Sequence, residues 1–408
     1  MLSFLNRFAR RPKIRHSIES AARRRRLATQ VRVENLEGRA LLTALPINLG
    51  VTVASTPVTI GSELYFSGRD ATHGLQLWES NGTTAGTVML SNANSSNGGL
   101  NPRYLTAVGS TLYFSANDGP HGSQLWKSNG TAAGTVMVTD VSPPIGLGPQ
   151  SLTDVNGTLY FVGYNPVDRY QVYKSDGTAS GTVMVADING RLGSSAAHLT
   201  AMGSTLYFTA SDGIHGNQLW KTNGTTAGTT MVADINGTVG SYASLLTPVG
   251  NTLYFVALDN IHGAEVWKTD GTAAGTGLVR DIRPGLISSS PSNLTNVNGT
   301  LYFTANDGIH GDQLWKSDGT TTGTVMVADI NGNSGSAPTN LTDLNGTLYF
   351  SAYAITTGFQ VYQSNGTTAG TKMASLINTP WGAYPTNLVT MSSKLYFNAT
   401  GAPLWKIG

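Results

Sequence analysis

Five aspartate–histidine pairs at one fixed spacing are the residues of this chain best suited to chemistry. Each pair stands in an Asp-x-x-His-Gly segment: Asp70/His73, Asp118/His121, Asp212/His215, Asp259/His262 and Asp307/His310. A carboxylate and a neutral imidazole both bind metal ions, so ligand or metal binding is one interpretation. The other is a hydrogen-bonded pair that fixes its own loop, because catalytic groups must converge on one substrate whereas these pairs are distributed. We favour the structural interpretation and predict no metal site and no cofactor. Binding of Ca²⁺ is the one alternative to this prediction.

The elements that position these pairs belong to a repeat. The tripeptide Leu-Tyr-Phe occurs eight times, 47 or 48 residues apart, beginning at Leu64, Leu112, Leu159, Leu206, Leu253, Leu301, Leu348 and Leu395. A Trp or Tyr follows each of the first seven phenylalanines after twelve residues, and Trp405 follows the eighth after a shorter loop. An Asn/Asp-Gly-Thr-x-x-Gly-Thr segment then occurs in seven of the eight copies. So strict a period predicts a repeat architecture.

One copy can be divided into four strands, called A to D. The sixth copy predicts strand A at 294–297, strand B at 300–305, strand C at 313–317 and strand D at 324–330. The turn between A and B is Asn-Gly, a strong hairpin signal. Strand B does not alternate, which predicts that both of its faces are buried. Four antiparallel strands in a repeat of this length are typical of a propeller blade.

We therefore predict an all-β fold: an eight-bladed β-propeller of four-stranded antiparallel blades over residues 45–408. The eighth copy ends after strand C, and residues 47–54 alternate apolar and polar. We expect this N-terminal segment to pair with the strand around Trp405 and so close the ring, which removes exposed edges. The alternative is a truncated eighth copy in an open array. The loops after strands B and D would share one face, which adds five aspartates to it: Asp140, Asp187, Asp234, Asp281 and Asp329.

Residues 1–44 differ from the rest in charge. They hold 11 of the 25 Lys and Arg residues and only 3 of the 23 Asp and Glu residues, so the body is mildly acidic. The segment 36–42 resembles the Leu-Glu-x-Arg-x-Leu-Leu leader of many large exported proteins of certain bacteria. That resemblance implies a location outside the cell or in the cell envelope. The alternative is a disordered basic tail that binds nucleic acid or other acidic surfaces.

The stretch from strand C to strand D resembles the ELWxxDGT repeat family, exported bacterial proteins sometimes labelled hyalin-like. The clearest copies are 313–320 (Gln-Leu-Trp-Lys-Ser-Asp-Gly-Thr) and 265–272 (Glu-Val-Trp-Lys-Thr-Asp-Gly-Thr), and the match covers residues 45–408. The family's Glu occurs here only at Glu265, and six other copies carry Gln. The resemblance implies an extracellular repeat protein and does not imply a particular reaction.

Other function classes find little support in the residues. The acidic body argues against nucleic-acid binding, the absence of cysteine excludes thiolate chemistry, and no apolar run is long enough for a membrane helix. No nucleophile elbow, Walker loop or His-Glu-x-x-His motif occurs. We therefore expect a monomeric, exported or cell-surface module that is not an enzyme and has a protein or polysaccharide ligand. The alternative is an extracellular hydrolase or lyase that acts on glycans.

Overall fold

The computed structural model describes residues 49–94, 98–376, 383–391, 393–399 and 402–407. The predicted leader, residues 1–44, lies outside them. The described residues form 32 strands, and their helical content is three 3-10 turns at Gly190–Leu192, Gly237–Val239 and Gly332–Ser334. Within these ranges no helix is long and apolar enough to cross a membrane.

The strands form eight antiparallel sheets that follow one another along the chain. Sheet 1 contains β1 (Thr52–Val53), β2 (Val58–Ile60), β3 (Glu63–Arg69), β4 (Leu75–Ser80) and β5 (Thr87–Met89); sheet 2 contains β6 (Arg103–Val108), β7 (Thr111–Asn117), β8 (Ser123–Ser128) and β9 (Val136–Met137). Sheet 3 contains β10 (Gln150–Val155), β11 (Thr158–Asn165), β12 (Arg169–Ser175) and β13 (Val183–Met184); sheet 4 contains β14 (Ala197–Met202), β15 (Thr205–Ser211), β16 (Asn217–Thr222) and β17 (Thr230–Met231). Sheet 5 contains β18 (Ser244–Val249), β19 (Thr252–Asp259), β20 (Gly263–Thr269) and β21 (Gly277–Leu278); sheet 6 contains β22 (Ser292–Val297), β23 (Thr300–Asn306), β24 (Asp312–Ser317) and β25 (Val325–Ala328). Sheet 7 contains β26 (Thr339–Leu344), β27 (Thr347–Ala354), β28 (Gly358–Ser364) and β29 (Lys372–Met373); sheet 8 contains β30 (Thr386–Met391), β31 (Lys394–Ala399) and β32 (Ala402–Ile407).

The predicted unit is confirmed: each sheet has the order A-B-C-D, except that sheet 1 has an added strand and sheet 8 has three among the described residues. The Asn298-Gly299 turn joins strands A and B of sheet 6, with φ of +49° and +82°. These left-handed values favour Asn and Gly over other residues, which explains the sequence signal. Between strands B and C the register places Phe303 opposite Trp315, and the same aromatic pairing recurs in every sheet.

Neighbouring sheets bury their apolar side chains against each other. Val297, Tyr302 and Leu314 of sheet 6 pack against Phe350 and Leu348 of sheet 7. The phenylalanines of the eight B strands are at most 1% exposed. The B strands are thus buried on both faces, as their continuous apolar sequence predicts. Each strand A also lies against the strand A of the next sheet, from β2 and β6 through to β26 and β30.

A tyrosine and a lysine of one sheet hold the C–D turn of the next. In sheet 5, Tyr254 lies against Gly319 of the sheet 6 turn, and Lys268 Nζ donates a hydrogen bond of 2.8 Å to the Gly319 carbonyl. Corresponding glycines meet a tyrosine hydroxyl at the turns of sheets 2, 3, 4, 5 and 7. The lysine bond is also present from sheets 2, 3 and 4 to the next turn, so this Tyr–Lys clamp links sheets 2 to 6 at the end of the body that carries the C–D turns.

We predict that Gly319→Ala destabilises the protein more than Gly82→Ala. The two glycines have nearly the same φ, +88° and +86°, so the backbone strain of an alanine is matched. A Cβ at position 319 would lie 2.6 Å from the Tyr254 hydroxyl, whereas a Cβ at position 82 meets nothing within 4 Å. The extra destabilisation should be about 1 kcal/mol, measured by urea unfolding. Equal destabilisation by the two substitutions would contradict the clamp.

The predicted ring closure is not confirmed. Thr52 and Val53 pair with Arg69 and Gly68 of β3, so this part of the N-terminal segment adds to sheet 1 and does not serve sheet 8. The reason is local: β1 runs almost directly into β2, and both flank the same strand. Among the described residues, no tyrosine lies against Gly82, the sheet 1 counterpart of Gly319. The fold shown is an all-β body of eight successive sheets.

Candidate functional site

The loops after strands B and D lie at the same end of each sheet, because the four strands alternate in direction. Across sheets these loops also meet. Asn94 Nδ2, after strand D of sheet 1, donates to the Asn117 carbonyl of sheet 2 at 3.4 Å. The Ile355 N–H of sheet 7 donates to Asn331 Oδ1, after strand D of sheet 6, at 2.9 Å. We call the B–C and D–A loops together the loop face.

Each predicted Asp–His pair lies in a B–C loop and forms a closed local network. In sheet 4 the Oδ1 atom of Asp212 accepts backbone N–H bonds from Ile214 (2.9 Å) and His215 (2.8 Å). Its Oδ2 atom lies 2.7 Å from His215 Nδ1. One carboxylate thus satisfies two backbone groups and one imidazole nitrogen, and it fixes the turn.

The pairs of sheets 1, 5 and 6 repeat this arrangement. In sheet 2 the residue before the histidine is Pro120, which has no N–H to donate, and Asp118 accepts the His121 N–H at 3.1 Å. The Oδ2–Nδ1 contacts are 2.6 Å for Asp118/His121, 2.8 Å for Asp259/His262 and 2.7 Å for Asp307/His310, and Asp70/His73 is also in contact. The pairs stay in separate sheets. Among the described residues no group of three or more His, Asp or Glu side chains is placed to hold a metal ion.

Hydrogen bonding within the pairs shifts their pKa values. The His73 side chain, with the backbone N–H groups of Thr72 and His73, lowers the pKa of Asp70 to about 2. Burial acts in the opposite sense on Asp212, but the hydrogen bonds from the His215 backbone and side chain and from Ile214 outweigh it and lower its pKa to about 2. The bond to Asp212 raises the pKa of His215 above its usual value.

We predict that Asp212→Asn lowers the pKa of His215, observed by NMR titration of the imidazole. The amide removes the anionic partner that favours the imidazolium. The raised histidine pKa stabilises the fold below the unfolded-state value near 6.5 and loses that effect as pH rises through the folded-state value. The lowered aspartate pKa stabilises the fold above about 4 and loses that effect as pH falls through 2. The pKa of His262 in sheet 5 is the internal control, and an unchanged His215 would contradict the pairing.

A buried glutamine at the start of strand C joins the pair to the next loop, a residue that sequence reasoning missed. Gln218 Nε2 donates to the His215 carbonyl at 3.1 Å and to Asp234 Oδ1 at 2.8 Å. Gln313 makes the same bonds to His310 and Asp329. Gln171 likewise bonds Asp187, whereas Gln124 bonds the Val141 carbonyl near Asp140. The repeated Gln before Leu-Trp was the available sequence signal.

Glu265 takes this glutamine's place in sheet 5 and reverses the polarity of the network. Its buried carboxylate accepts the Ser289 N–H (2.9 Å), the Ser289 hydroxyl (2.6 Å) and the Ile282 N–H (3.3 Å). Burial raises its pKa to about 6 despite these donors. The D–A loop of sheet 5 is therefore held through its backbone N–H groups. Nearby, Asp281 Oδ1 is buried without a hydrogen-bond partner.

Exposed aliphatic side chains are the second property of the loop face that sequence reasoning missed. The B–C and D–A loops carry large aliphatic residues that are 51% to 81% exposed: Ile145, Val167, Leu192, Ile214, Val239, Ile261, Leu286, Ile287, Ile309, Ile355 and Leu376. Ile214, Ile261 and Ile309 occupy one repeated position, beside the histidine of each pair. Apolar side chains this exposed, repeated in neighbouring loops, make the loop face a candidate site of interaction.

Several solved structures of peptidases are similar to this chain, at low sequence identity and with TM-scores below 0.5. A prolyl endopeptidase is 14% identical with a TM-score of 0.48, the match covering 86% of this chain and 55% of that one. Prolyl oligopeptidase B from Galerina marginata is 10% identical with a TM-score of 0.45, covering 86% and 54%. Oligopeptidase B from Leishmania major is 11% identical with a TM-score of 0.45, covering 87% and 54%. The chain thus spans little more than half the length of these structures.

No protein-family model matches the chain, and no curated protein matches it. The resemblance to ELWxxDGT repeat proteins therefore stays a prediction. The expectation of a surface module that binds a protein or polysaccharide, with a glycan-acting hydrolase or lyase as its alternative, is contradicted by the structural comparison, because the similar chains are named as peptidases. The expectations that the chain is exported and is not an enzyme stay predictions. At TM-scores below 0.5 the similarity does not assign their activity to this chain.

Proposed function

We propose that the eight-sheet body, as a β-propeller, selects polypeptide substrates for a peptidase site carried by another domain or chain. The names of the similar structures supply the reaction to assay first. The observation that carries the proposal is the chemistry of the loop face, which combines exposed aliphatic side chains with an excess of carboxylates.

The charge of the loop face determines which polypeptide it favours. Its aspartates include the five of the Asp–His pairs and the five at the ends of the D strands. Its arginines are fewer: Arg191, Arg280 and Arg283 in the D–A loops, and Arg69, Arg103 and Arg169 at the strand ends. Aspartates with an ordinary pKa of 3.8 are already ionised at neutral pH, and the hydrogen bonds that lower the pKa values of Asp70 and Asp212 extend the ionised state to lower pH. Complementary charge and apolar contact then favour an extended segment rich in basic and aliphatic residues.

The Asp–His pairs support a body that does not itself catalyse. In a Ser-His-Asp triad the imidazole uses one nitrogen for the carboxylate and the other for the nucleophile. Here the Thr72 hydroxyl, at 2.8 Å, and the Asp70 carboxylate both lie at Nδ1 of His73. A hydroxyl at that nitrogen is not placed for activation. We therefore propose that the nucleophile comes from outside the loop face.

The proposal predicts that the purified chain binds a fluorescent peptide of alternating Leu and Lys and leaves it intact by mass spectrometry. The corresponding Leu-Glu peptide should bind at least tenfold more weakly. Replacing both Ile261 and Ile309 by Asp should also weaken Leu-Lys binding, since two exposed apolar contacts are lost.

The control is Val183→Asp, because Val183 is also exposed, at 41% against 66% for Ile261 and 64% for Ile309, but lies on an outer D strand away from the loops. It should bind like the unaltered chain. Equal affinity for the two peptides, or unchanged binding by the double variant, would refute docking on the loop face. Cleavage by the chain alone would refute the proposal that the body is non-catalytic.

A further inference from the structure

A cavity of about 320 Å³ lies at the loop-face ends of sheets 2 and 3. Arg103 and Tyr104 at the start of β6 line one side, and Gln150 at the start of β10 lines the other. Asn101 and Asn117 add two amide side chains. The volume is within the usual range for pockets that bind small groups, about 300–1,000 Å³.

The guanidinium–phenol pair in this cavity departs from the repeat. Arg103 and Tyr104 are the first two residues of strand A, and the corresponding pairs in sheets 3 to 8 are Gln150-Ser151, Ala197-His198, Ser244-Leu245, Ser292-Asn293, Thr339-Asn340 and Thr386-Asn387. The cavity of sheet 2 is thus the one that combines a fixed positive charge with an aromatic ring at this position. Residues that break a structural repeat are candidates for a specific contact, because the fold does not require them.

The backbone presents both side chains outward. Tyr104 has φ of +55°, which is uncommon for a bulky residue, and it lies in a bulge between Arg103 and Thr106. The Thr106 hydroxyl donates to the Tyr104 carbonyl at 3.0 Å and also lies 3.3 Å from the Leu152 carbonyl of sheet 3. Tyr104 is 49% exposed, and Arg103 is exposed as well. Within the described residues the Arg103 guanidinium has no hydrogen bond or ion pair.

We propose that this cavity binds a carboxylate group of the polypeptide docked on the loop face, with Arg103 as the donor that recognises it. This inference rests on the proposed function, since it deepens the description of the same substrate. A guanidinium donates two parallel N–H bonds to a carboxylate, a geometry that a lysine does not reproduce. The Tyr104 ring and the amides of Asn101 and Gln150 surround the group.

The local charge supports a carboxylate at this one place. No Asp or Glu is among the residues that line the cavity, whereas the Asp–His loops elsewhere on the face repel anions. A basic substrate would therefore meet carboxylates along most of the loop face, and it would meet the Arg103 guanidinium at this cavity. Such an arrangement fixes the direction in which the segment lies. The carboxylate is either the free C-terminus or an acidic side chain.

The test uses the full chain and three fluorescent Leu-Lys peptides, compared by anisotropy. The first has a free C-terminal carboxylate, the second a C-terminal amide, and the third a C-terminal amide and one internal Glu. Loss of a charge-assisted bond should weaken binding of the amide peptide by ~10- to 100-fold relative to the best acidic one. Tighter binding of the first peptide identifies the terminus as the source, and tighter binding of the third identifies a side chain.

Arg103→Gln should abolish this difference while leaving the amide peptide's affinity unchanged. Arg191→Gln, an exposed arginine on a neighbouring D–A loop, should retain it and is the matched control. Equal binding of all three peptides by the unaltered chain would overturn the carboxylate site without affecting loop-face docking. If no peptide binds, the proposed function fails, and the cavity is then tested separately with N-acetyl-leucine and its amide. The carboxylate site is refuted if the acid binds no more tightly than the amide, or if Arg103→Gln still prefers the acid.

Discussion

Phe255→Ala should lower the free energy of unfolding by ~3–5 kcal/mol, the largest effect of any substitution considered for this protein. Phe255 has no exposed surface and packs between sheets 4 and 5, among Tyr207, Leu219 and Val232 of the preceding sheet. Removing the ring loses the free energy of burying it and leaves a cavity. The strands of sheets 4 and 5 cannot move together to close this cavity, because each is held in register by its partner strand. The measurement is the midpoint of urea unfolding, followed by tryptophan fluorescence.

Ile261→Ala is the control for that experiment. Ile261 is 66% exposed on the B–C loop of the same sheet, so its truncation should change stability by less than ~0.5 kcal/mol. A loss of the same size for both variants would contradict the interface between sheets 4 and 5. A shift of less than about 1 kcal/mol for Phe255→Ala would do so as well.

Glu265 should make stability fall as the pH rises from 4.5 through 6. Burial raises its folded-state pKa to about 6 from the model-peptide value of 4.5, so the folded protein binds an extra proton in this window. Stability decreases with pH wherever the folded state holds more protons than the unfolded state. A difference of about 1.5 in pKa corresponds to ~2 kcal/mol, a cost of the charged form that persists above pH 6.

Glu265→Gln should remove this contribution, measured as the difference in unfolding free energy between pH 4.5 and pH 7. The charged residues around Glu265 include Asp259, His262, Asp281 and Arg283, and they remain in both proteins. Glu79, whose pKa is raised by burial and by Glu63, also remains in both. Subtracting the two pH profiles therefore gives the contribution of Glu265 together with its effect on the pKa of His262, which Glu265 helps to raise, and identical profiles would contradict the assignment.

The reciprocal substitution, Gln313→Glu in sheet 6, is the matched control. Gln313 Nε2 donates to the His310 carbonyl, to Asp329 and to the Gly332 carbonyl. A carboxylate cannot donate to these acceptors and would face Asp329. It should destabilise sheet 6 at pH 7, and tolerance of the substitution would show that the network does not depend on the glutamine.

Much of the fold was predictable because the residue types themselves repeat. The sequence predicted strand B of sheet 6 at 300–305, and the structure has Thr300–Asn306. Strand D was predicted at 324–330 but extends only over Val325–Ala328, because the chain then bends towards the 3-10 turn at Gly332–Ser334. Apolar periodicity locates a strand but does not show where its ladder ends. The prediction of ring closure depended on which strand the segment 47–54 pairs with, and alternation of apolar and polar residues does not specify the partner strand.

The candidate site was predictable only in its repeated part. The Asp-x-x-His spacing located the five loops, and the structure supplies the hydrogen bonds that the spacing suggested. The bulge that presents Tyr104 could not be foreseen, because the same left-handed position holds His198 in sheet 4 and Leu245 in sheet 5. Asn, which favours this conformation, occupies the position only in sheets 6, 7 and 8, as Asn293, Asn340 and Asn387. The exposed Ile214, between Gly and His in a turn, was a signal that an apolar residue had been placed in solvent.

Hydrogen–deuterium exchange of the full chain with and without the Leu-Lys peptide tests the central claim most directly. Docking on the loop face predicts slower exchange in the B–C loops that carry Ile214, Ile261 and Ile309 and in the adjoining D–A loops. It also predicts unchanged exchange in the C–D turns at the opposite ends of the sheets, such as the turn at Gly319. Protection of the C–D turns in place of the loops, or no protection at saturating peptide, would contradict it.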